Sequence, residues 1–403
     1  MASLNKFSGV LGKARAAHLL RRATFGPTRQ DIEQFASLTT DQALVLLLDD
    51  SAENPLPPLD PTTGATWVDP AGVAHAHPDR EQDELFSYFK SWHMDVMRSA
   101  PLTLKERLTW FYHTHLPARW TEILSSEAIY YQNALFRHYA YGSFKELFKK
   151  ICVDNAMLRY LDGYSNRYRS PNENFAREMF ELYSIGKGPQ VAEGDYSNYT
   201  EDDIKAATRV LTGWEMDETY SYLDPETGLP IGKMKTHLAD DGTTELATEH
   251  DTGEKSFSAK FGDIVLQPSD VLEDFATLDG AYDELDEMIE MIFSQQETGR
   301  FIARKLYRFF VYHFISDEVE NDIIEPLAQL LISNDFSIKE LLEVLLKSEH
   351  FYDADDAVKE NDNVGALIKS PVDLFCGLFR QFDIQFPDRE AETADFYEDM
   401  AYV

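Results

Sequence analysis

Asn174, Arg177, Glu178 and Glu181 share one narrow polar stripe on the segment Ser170–Gly186, SPNENFAREMFELYSIG. Phe175, Met179 and Leu182 share one side at helical spacing, and Ala176, Phe180 and Tyr183 share the next. A helix that is apolar over most of its circumference is normally buried. Its stripe of two carboxylates and a guanidinium therefore faces either solvent or an internal polar cavity. Two carboxylates in this setting can ligate a divalent ion that activates water. They can instead act as general acid and base, once their surroundings push their pKa values apart. A third reading is structural: Glu173–Arg177 and Arg177–Glu181 stand at i,i+4 spacing and suit an ion-pair ladder.

The central helix that must position these groups is expected over 171–186. Ser170 reads as its N-cap, Pro171 as its first residue, Glu173 as the third helical residue and Gly186 as its stop. Ahead of it, a helix from about Lys13 to Thr24 carries His18, Arg21 and Arg22, and FGPT breaks it. Thr28 caps a second helix, and a third follows Thr39–Thr40. Residues 51–78 are rich in Pro, Gly and Ala and read as a loop, in which His75 and His77 are incidental. From Asp79 to Gly142 the pattern is helical, with Leu104, Leu108, Phe111 and His115 on one stripe. His115 thus points inward. His113, two residues away, points to the opposite side, so the pair cannot serve one ion on an unbroken helix.

Beyond the central helix, Thr200 and Asp203 open another with capping-box chemistry. After Trp214 the texture changes to turn-rich runs, and one or two β-hairpins are expected within 215–262. Helices resume near Asp283. The run ETGRFIARKLYRFFVYHFI should bury Phe301, Leu306, Phe309, Phe310 and Phe314. The expected fold is mainly α, a multi-helix globular protein with its only sheet in a small β-hairpin insert at about 215–262. It falls into an N-terminal region 1–214, the insert and a C-terminal region 263–403.

The 403 residues carry 71 Asp and Glu against 37 Lys and Arg, a formal net charge of −34. Binding of nucleic acid or of an anionic membrane through general electrostatics is thereby disfavoured. No run is apolar enough to cross a bilayer, and the first residues lack the apolar centre of a signal peptide. Cys152 and Cys376 sit in apolar helical patterns and read as buried free thiols. There is no P-loop, no G-x-G-x-x-G, no G-x-S-x-G and no zinc-type CxxC.

Four stretches carry a resemblance: HLLRRATFGPT at 18–28, YLDGYSNRYRSPNENFAREMFELYSIG at 160–186, YTEDDIKAATRVLTGW at 199–214 and RFIARKLYRFFV at 300–311. GALIKSPVDL at 365–374 fits as well. With these the chain resembles the bacterial family called domain of unknown function 1800. The resemblance implies no known activity. It implies export to a secreted, periplasmic or cell-surface location, and a companion sulfatase-like protein encoded nearby. Members usually continue into a Gly-Trp-Pro segment, so the resemblance implies that this chain stops short of the family's C-terminal end. The family's His-Asp-Gly run corresponds to His250, Asp251 and Gly253, in an insert longer than usual, with Lys255 four residues after Asp251.

A pocket between the central helix and that loop would join Glu178, Glu181, Arg177, His115, His250 and Asp251. The candidate catalytic residues are Glu178, Glu181, His250 and Asp251. Candidate substrate contacts are Asn172, Asn174, Arg177, Trp214 and Lys255. A divalent metal ion is one cofactor option, with Glu178, Glu181 and His115 as its ligands. Two functions are expected from different classes. One is a hydrolase or lyase acting on an extracellular polymer. The other is a non-catalytic surface or assembly protein that docks a companion.

Overall fold

A computed structural model describes residues 2–68, 81–355 and 367–400. His75 and His77 lie outside them. About 52% of the chain is helical and 10% is strand, so the fold is mainly α. Two compact units emerge, and they cut across the three sequence segments. One comprises Met1–Thr114, Ser125–Gly142 and Ala303–Val403; the other comprises His115–Leu124 and Ser143–Ile302.

In the first unit, the helix Gly12–Ala23 buries Ala16, Leu19, Leu20 and Ala23. Thr28 and Asp31 form a full capping box on the helix Arg29–Ala36, and Thr39 with Gln42 does the same for Thr40–Leu47. Each box satisfies two backbone N–H groups that the first helical turn leaves without partners. Between the first two helices, Gly26 has φ +126°, and a Cβ there would lie 2.8 Å from Gly377 Cα. Only glycine permits that conformation and that approach. Phe25 is thereby held in a cluster with Met97 and Cys376, on the side of the helix Pro371–Gln381. The helix Gln296–Phe310 ends before Phe314, which is 59% exposed. The expectation that Phe314 packs inward fails because the periodicity outlasts the helix.

The second unit holds the central helix, the helix Glu201–Val210 and the helix Leu278–Phe293. Its strands correct the expectation of a single sheet confined to 215–262. Gln190–Ala192 pairs with Asp195–Tyr196, Trp214–Glu215 with Lys233–Met234, and Lys255–Ser256 with Val265–Leu266. A four-stranded antiparallel sheet runs in the order Thr236–Leu238, Glu245–Ala247, Phe275–Thr277, Val271–Leu272. Its last hairpin turns on Glu273 and Asp274, both with positive φ, at 54° and 68°. A type I′ hairpin turn needs such angles at both positions, normally supplied by Asn and Gly. An Glu-Asp turn hides the hairpin from sequence patterning.

Cys152 and Cys376 are both free and buried. No helix among the described residues is long and apolar enough to cross a membrane.

Candidate functional site

The central helix begins later than its sequence suggests. Ser170 bridges back to Arg167 in a tight turn, its N–H donating to Arg167 O at 2.9 Å. Helical geometry starts at Asn174, so Ser170 and Pro171 are not its cap. Asn172 organises the entry instead. Its N–H donates to Asn166 Oδ1, its Nδ2 to Ser165 Oγ, and its Oδ1 accepts from the Asn174 N–H. Asn174 Nδ2 donates to Leu161 O. Both asparagines, expected to touch substrate, lock the turn that aims the helix.

After one and a half α turns, at Asn174–Glu178, the chain widens into a π-helical segment over Met179–Ser184. The wider turn shifts the phase of everything after Glu178. Tyr183 and Ser184 turn inward, while Leu182 is 49% exposed instead of buried with Phe175 and Met179. Ser184 Oγ donates to Met179 O, and the Gly186 N–H donates to Phe180 O across the same wide turn. Gly186 ends the helix as expected, at φ +73°, where a Cβ would meet the Phe301 ring at 2.7 Å. Single π turns inside helices recur at functional sites.

The stripe is electrostatically divided. Arg177 pairs with Glu201 (2.7 Å), Glu173 (3.1 Å) and Glu181 (3.5 Å), so both rungs of the expected ladder are present. Glu201, whose hydrogen bond acts most, and Glu173 raise its pKa. Glu181 also accepts from Lys187 Nζ at 2.9 Å and from Tyr199 Oη at 2.5 Å. Burial alone would push the Glu181 carboxyl up, but Tyr199, Lys187 and Arg177 together hold it below the ordinary range. Glu178 differs. It makes no hydrogen bond or ion pair among the described residues, and partial burial followed by the negative charge of Glu181 raises its pKa. Adjacent carboxylates are thus pushed in opposite directions.

His115 lies inward, as its stripe requires. Its Nε2 lies 3.0 Å from Tyr183 O, and its ring packs against Phe144, Tyr183 and Phe301. His113, on the same helix, meets Asn133 at 2.8 Å instead. Among the described residues no group of three or more His, Cys, Asp or Glu is placed to hold a metal ion. Glu178, Glu181 and His115 are therefore not gathered into one ligand set, because the imidazole is committed to backbone beneath the helix.

His250, Asp251 and Lys255 do come together, through hydrogen bonds in which no stripe residue takes part. His250 bonds Thr212 O through Nδ1 at 2.9 Å and Glu284 through Nε2 at 2.8 Å. Lys255 Nζ stands 2.7 Å from Glu284 Oε1 and donates to Asp251 O. Asp251 receives Arg209 through two nitrogens, at 2.8 and 2.9 Å, and caps the turn through the Gly253 N–H. Burial lowers the Lys255 pKa, against the pull of Glu284. Trp214 is 1% exposed and stands edge-on to Tyr282, so it is a core residue. The hydrogen bonds of these residues fall into three sets: those of the stripe, the His115 contact with Tyr183 O and the His250 network.

Sequence reading missed Tyr199, Lys187 and Glu201 around the stripe, and Glu284, Arg209 and Thr212 around His250. Glu284 had a signal. It stands at i+3 from Ala281 and i−4 from Met288, inside the apolar face of its helix, where a carboxylate requires a partner.

The chain matches the family described as protein of unknown function (DUF1800) over residues 18–401. It belongs to that family. The DUF1800 match takes in the His18–Arg22 motif, the central helix and the Thr212–Trp214 turn that receives His250. No curated protein and no solved structure matches the chain.

Proposed function

We propose that this DUF1800 protein is a general acid–base hydrolase or lyase centred on Glu178 and Glu181, exported and acting on an extracellular polymer. The observation that carries the reading is the division of the stripe: Arg177, Lys187 and Tyr199 hold Glu181, while Glu178 makes no hydrogen bond or ion pair among the described residues, so their surroundings push the two carboxyls in opposite directions. Titratable groups whose environments drive their pKa values apart mark an acid and a base. Glu178, half-buried and without an ion-pair partner among the described residues, is the more readily protonated of the two and serves as the acid that delivers a proton to the leaving oxygen as the scissile bond breaks. Glu181, ionised, takes a proton from the attacking water, or from the substrate carbon in an elimination. Arg177, Lys187 and Tyr199 hold Glu181 in its charged form. General acid–base assistance of this kind contributes about a hundred- to ten-thousand-fold in rate. The polymer and the export rest on the family resemblance alone, which is association and not site chemistry.

The test has two arms. Carbon-detected NMR titration should find the Glu178 carboxyl above and the Glu181 carboxyl below the ordinary glutamate value; the reverse order overturns the assignment. Release of reducing or unsaturated ends from a panel of polysaccharides should fall by two orders of magnitude or more in Glu178→Gln. Full activity in that variant overturns the catalytic role.

A second reading, a non-catalytic assembly protein that docks a companion, draws on the helix Pro371–Gln381. Leu374, Phe375 and Leu378 are exposed there, as are Phe382 and Ile384 just beyond. Phe375→Asp should abolish co-purification with the sulfatase-like companion if this surface is its dock. Unchanged co-purification removes the reading.

A further inference from the structure

A cluster of positive charge in this acidic chain lies around a cavity of about 660 Å³ within the first unit. Arg21, Arg22, Arg107, Arg308 and Lys369 line it, with His18 and a single carboxylate, Asp373. Trp110, Thr114, Phe309, Leu367 and Ile368 complete most of the wall. Four separate segments deliver these groups: the first helix, the helix Lys105–His115, the end of the helix Gln296–Phe310 and the residues leading into Pro371.

The one carboxylate is already committed. Asp373 receives Arg107 Nη1 and, through its other oxygen, the Ser370 N–H and hydroxyl that cap its own helix. Arg107 is fixed further by its Nε donating to Arg22 O at 3.2 Å and by the faces of Phe309 and Phe25, at 4.6 and 5.3 Å. Its buried guanidinium is thus part of the wall. Arg21, Arg308 and Lys369 are exposed, and they make no hydrogen bond or ion pair among the described residues. Like charges are left facing one another. Burial and then the field of Arg107 lower Arg22 to about 10. Burial, with Arg107 and Arg21, lowers Lys369 despite the attraction of Asp373. His18, buried against Phe351 O, contributes no positive charge near neutrality.

With 71 acidic residues against 37 basic ones, three cations at one cavity, Arg21, Arg308 and Lys369, that make no ion pair among the described residues carry a cost that an anion removes. We infer that this cavity binds a ligand bearing an oxyanion group attached to a ring, the oxyanion held by Arg21, Arg308 and Lys369 and the ring resting on Trp110 and Phe309. Arginine forks match carboxylate, phosphate and sulfate oxygens in pairs. A half-buried indole beside them supplies the apolar platform for a planar or sugar ring. The volume falls in the range of about 300–1,000 Å³ occupied by small-molecule sites. The inference is independent of Glu178, because every residue it uses belongs to the other unit.

Phenyl phosphate, inorganic phosphate, inorganic sulfate and benzoate are the probes, each read by thermal shift and Trp fluorescence at constant ionic strength against chloride. Phenyl phosphate should raise Tm by about 2 °C or more when well above its Kd. It should bind more tightly than inorganic phosphate, since only the ester reaches Trp110. Benzoate against phenyl phosphate decides between a carboxylate and a tetrahedral anion. The variant Arg308→Gln/Lys369→Gln should weaken the best probe about tenfold or more while melting no lower than the parent, because like-charge repulsion is relieved. No shift beyond chloride with any probe overturns the site. Undiminished binding in the double variant overturns its location, and equal affinity for phenyl and inorganic phosphate overturns the ring platform.

Discussion

Glu284 Oε2 stands 2.8 Å from His250 Nε2, and both side chains are wholly shielded from solvent. The same carboxylate lies within 2.7 Å of Lys255, also fully buried. A buried carboxylate between an imidazole and an ammonium ties together three segments: the Thr212 turn, the loop after Ala247 and the helix Leu278–Phe293. Burying such a pair is close to neutral in net stability, but leaving one member alone is expensive. Glu284→Gln should therefore destabilise by about 3–5 kcal/mol. The double variant Glu284→Leu/Lys255→Met should recover most of that loss in a denaturant titration. An unchanged melt in Glu284→Gln would show that Lys255 is not charged in the fold.

For the stripe, the sign of the pH effect separates its two carboxylates. The Glu178 carboxyl is raised above 4.5 in the fold, so its contribution is favourable below the unfolded value and is lost as pH rises through the folded one. Glu178→Gln should raise Tm at pH 7, and the gain should vanish near pH 4. Glu181 is lowered, so its contribution is present above 4.5 and is lost as pH falls through the folded value. Glu181→Gln should lower Tm at pH 7, with the penalty fading in acid. Melting curves of both variants across pH 3–8 check the pair.

His18 is held neutral, its pKa lowered from 6.5 to about 4 by burial and then by Arg22. The unfolded chain takes up a proton there that the folded chain refuses, so stability falls as pH drops from 6.5 towards 4. The full effect is on the order of 3 kcal/mol. His93, lowered to about 3 by burial and Arg137, adds to the same slope. His18→Gln should flatten the acid limb of the Tm profile; an unaltered slope would mean that His18 is charged in the fold.

Gly186→Ala should cost more than about 1 kcal/mol, because it combines a left-handed backbone with a Cβ against the Phe301 ring. A chemical melt measures it. A neutral result would place Phe301 elsewhere.

Much of the helical frame was legible because its signals are local. Thr28, Thr39 and Thr200 announce their helices within four residues, and Gly186 marks a stop. His113 and His115 were separable by helical phase alone. The failures come from effects beyond local range. The π turn after Glu178 keeps the same residue types as an α-helix and changes only the hydrogen-bond step, so helical spacing puts Leu182 on the wrong side. Ser170-Pro171 carries capping chemistry, yet the bridge to Arg167 and the anchors on Asn166 and Ser165 prevail. Helical spacing pairs Arg177 with its neighbours on the helix, but its shortest partner, Glu201, lies 24 residues on. Glu284 meets His250 across 34 residues, and Lys369 lies in the field of Arg21 and Arg107 across still longer separations. Pairings of that kind have no periodicity to read.

The cationic cavity belongs to a chain of net charge −34, and that contrast has a kinetic consequence. An anion travelling towards it meets a repulsive far field before it meets the arginines. Added salt shortens the reach of that field, to about 8 Å at physiological ionic strength. Moderate salt should therefore speed the arrival of an anionic ligand even as it loosens the hold of the site, so the association and dissociation rates both rise. Electrostatic steering ordinarily makes salt slow encounter; here the same physics makes the outer surface a filter that favours compact ligands of low charge over long polyanions.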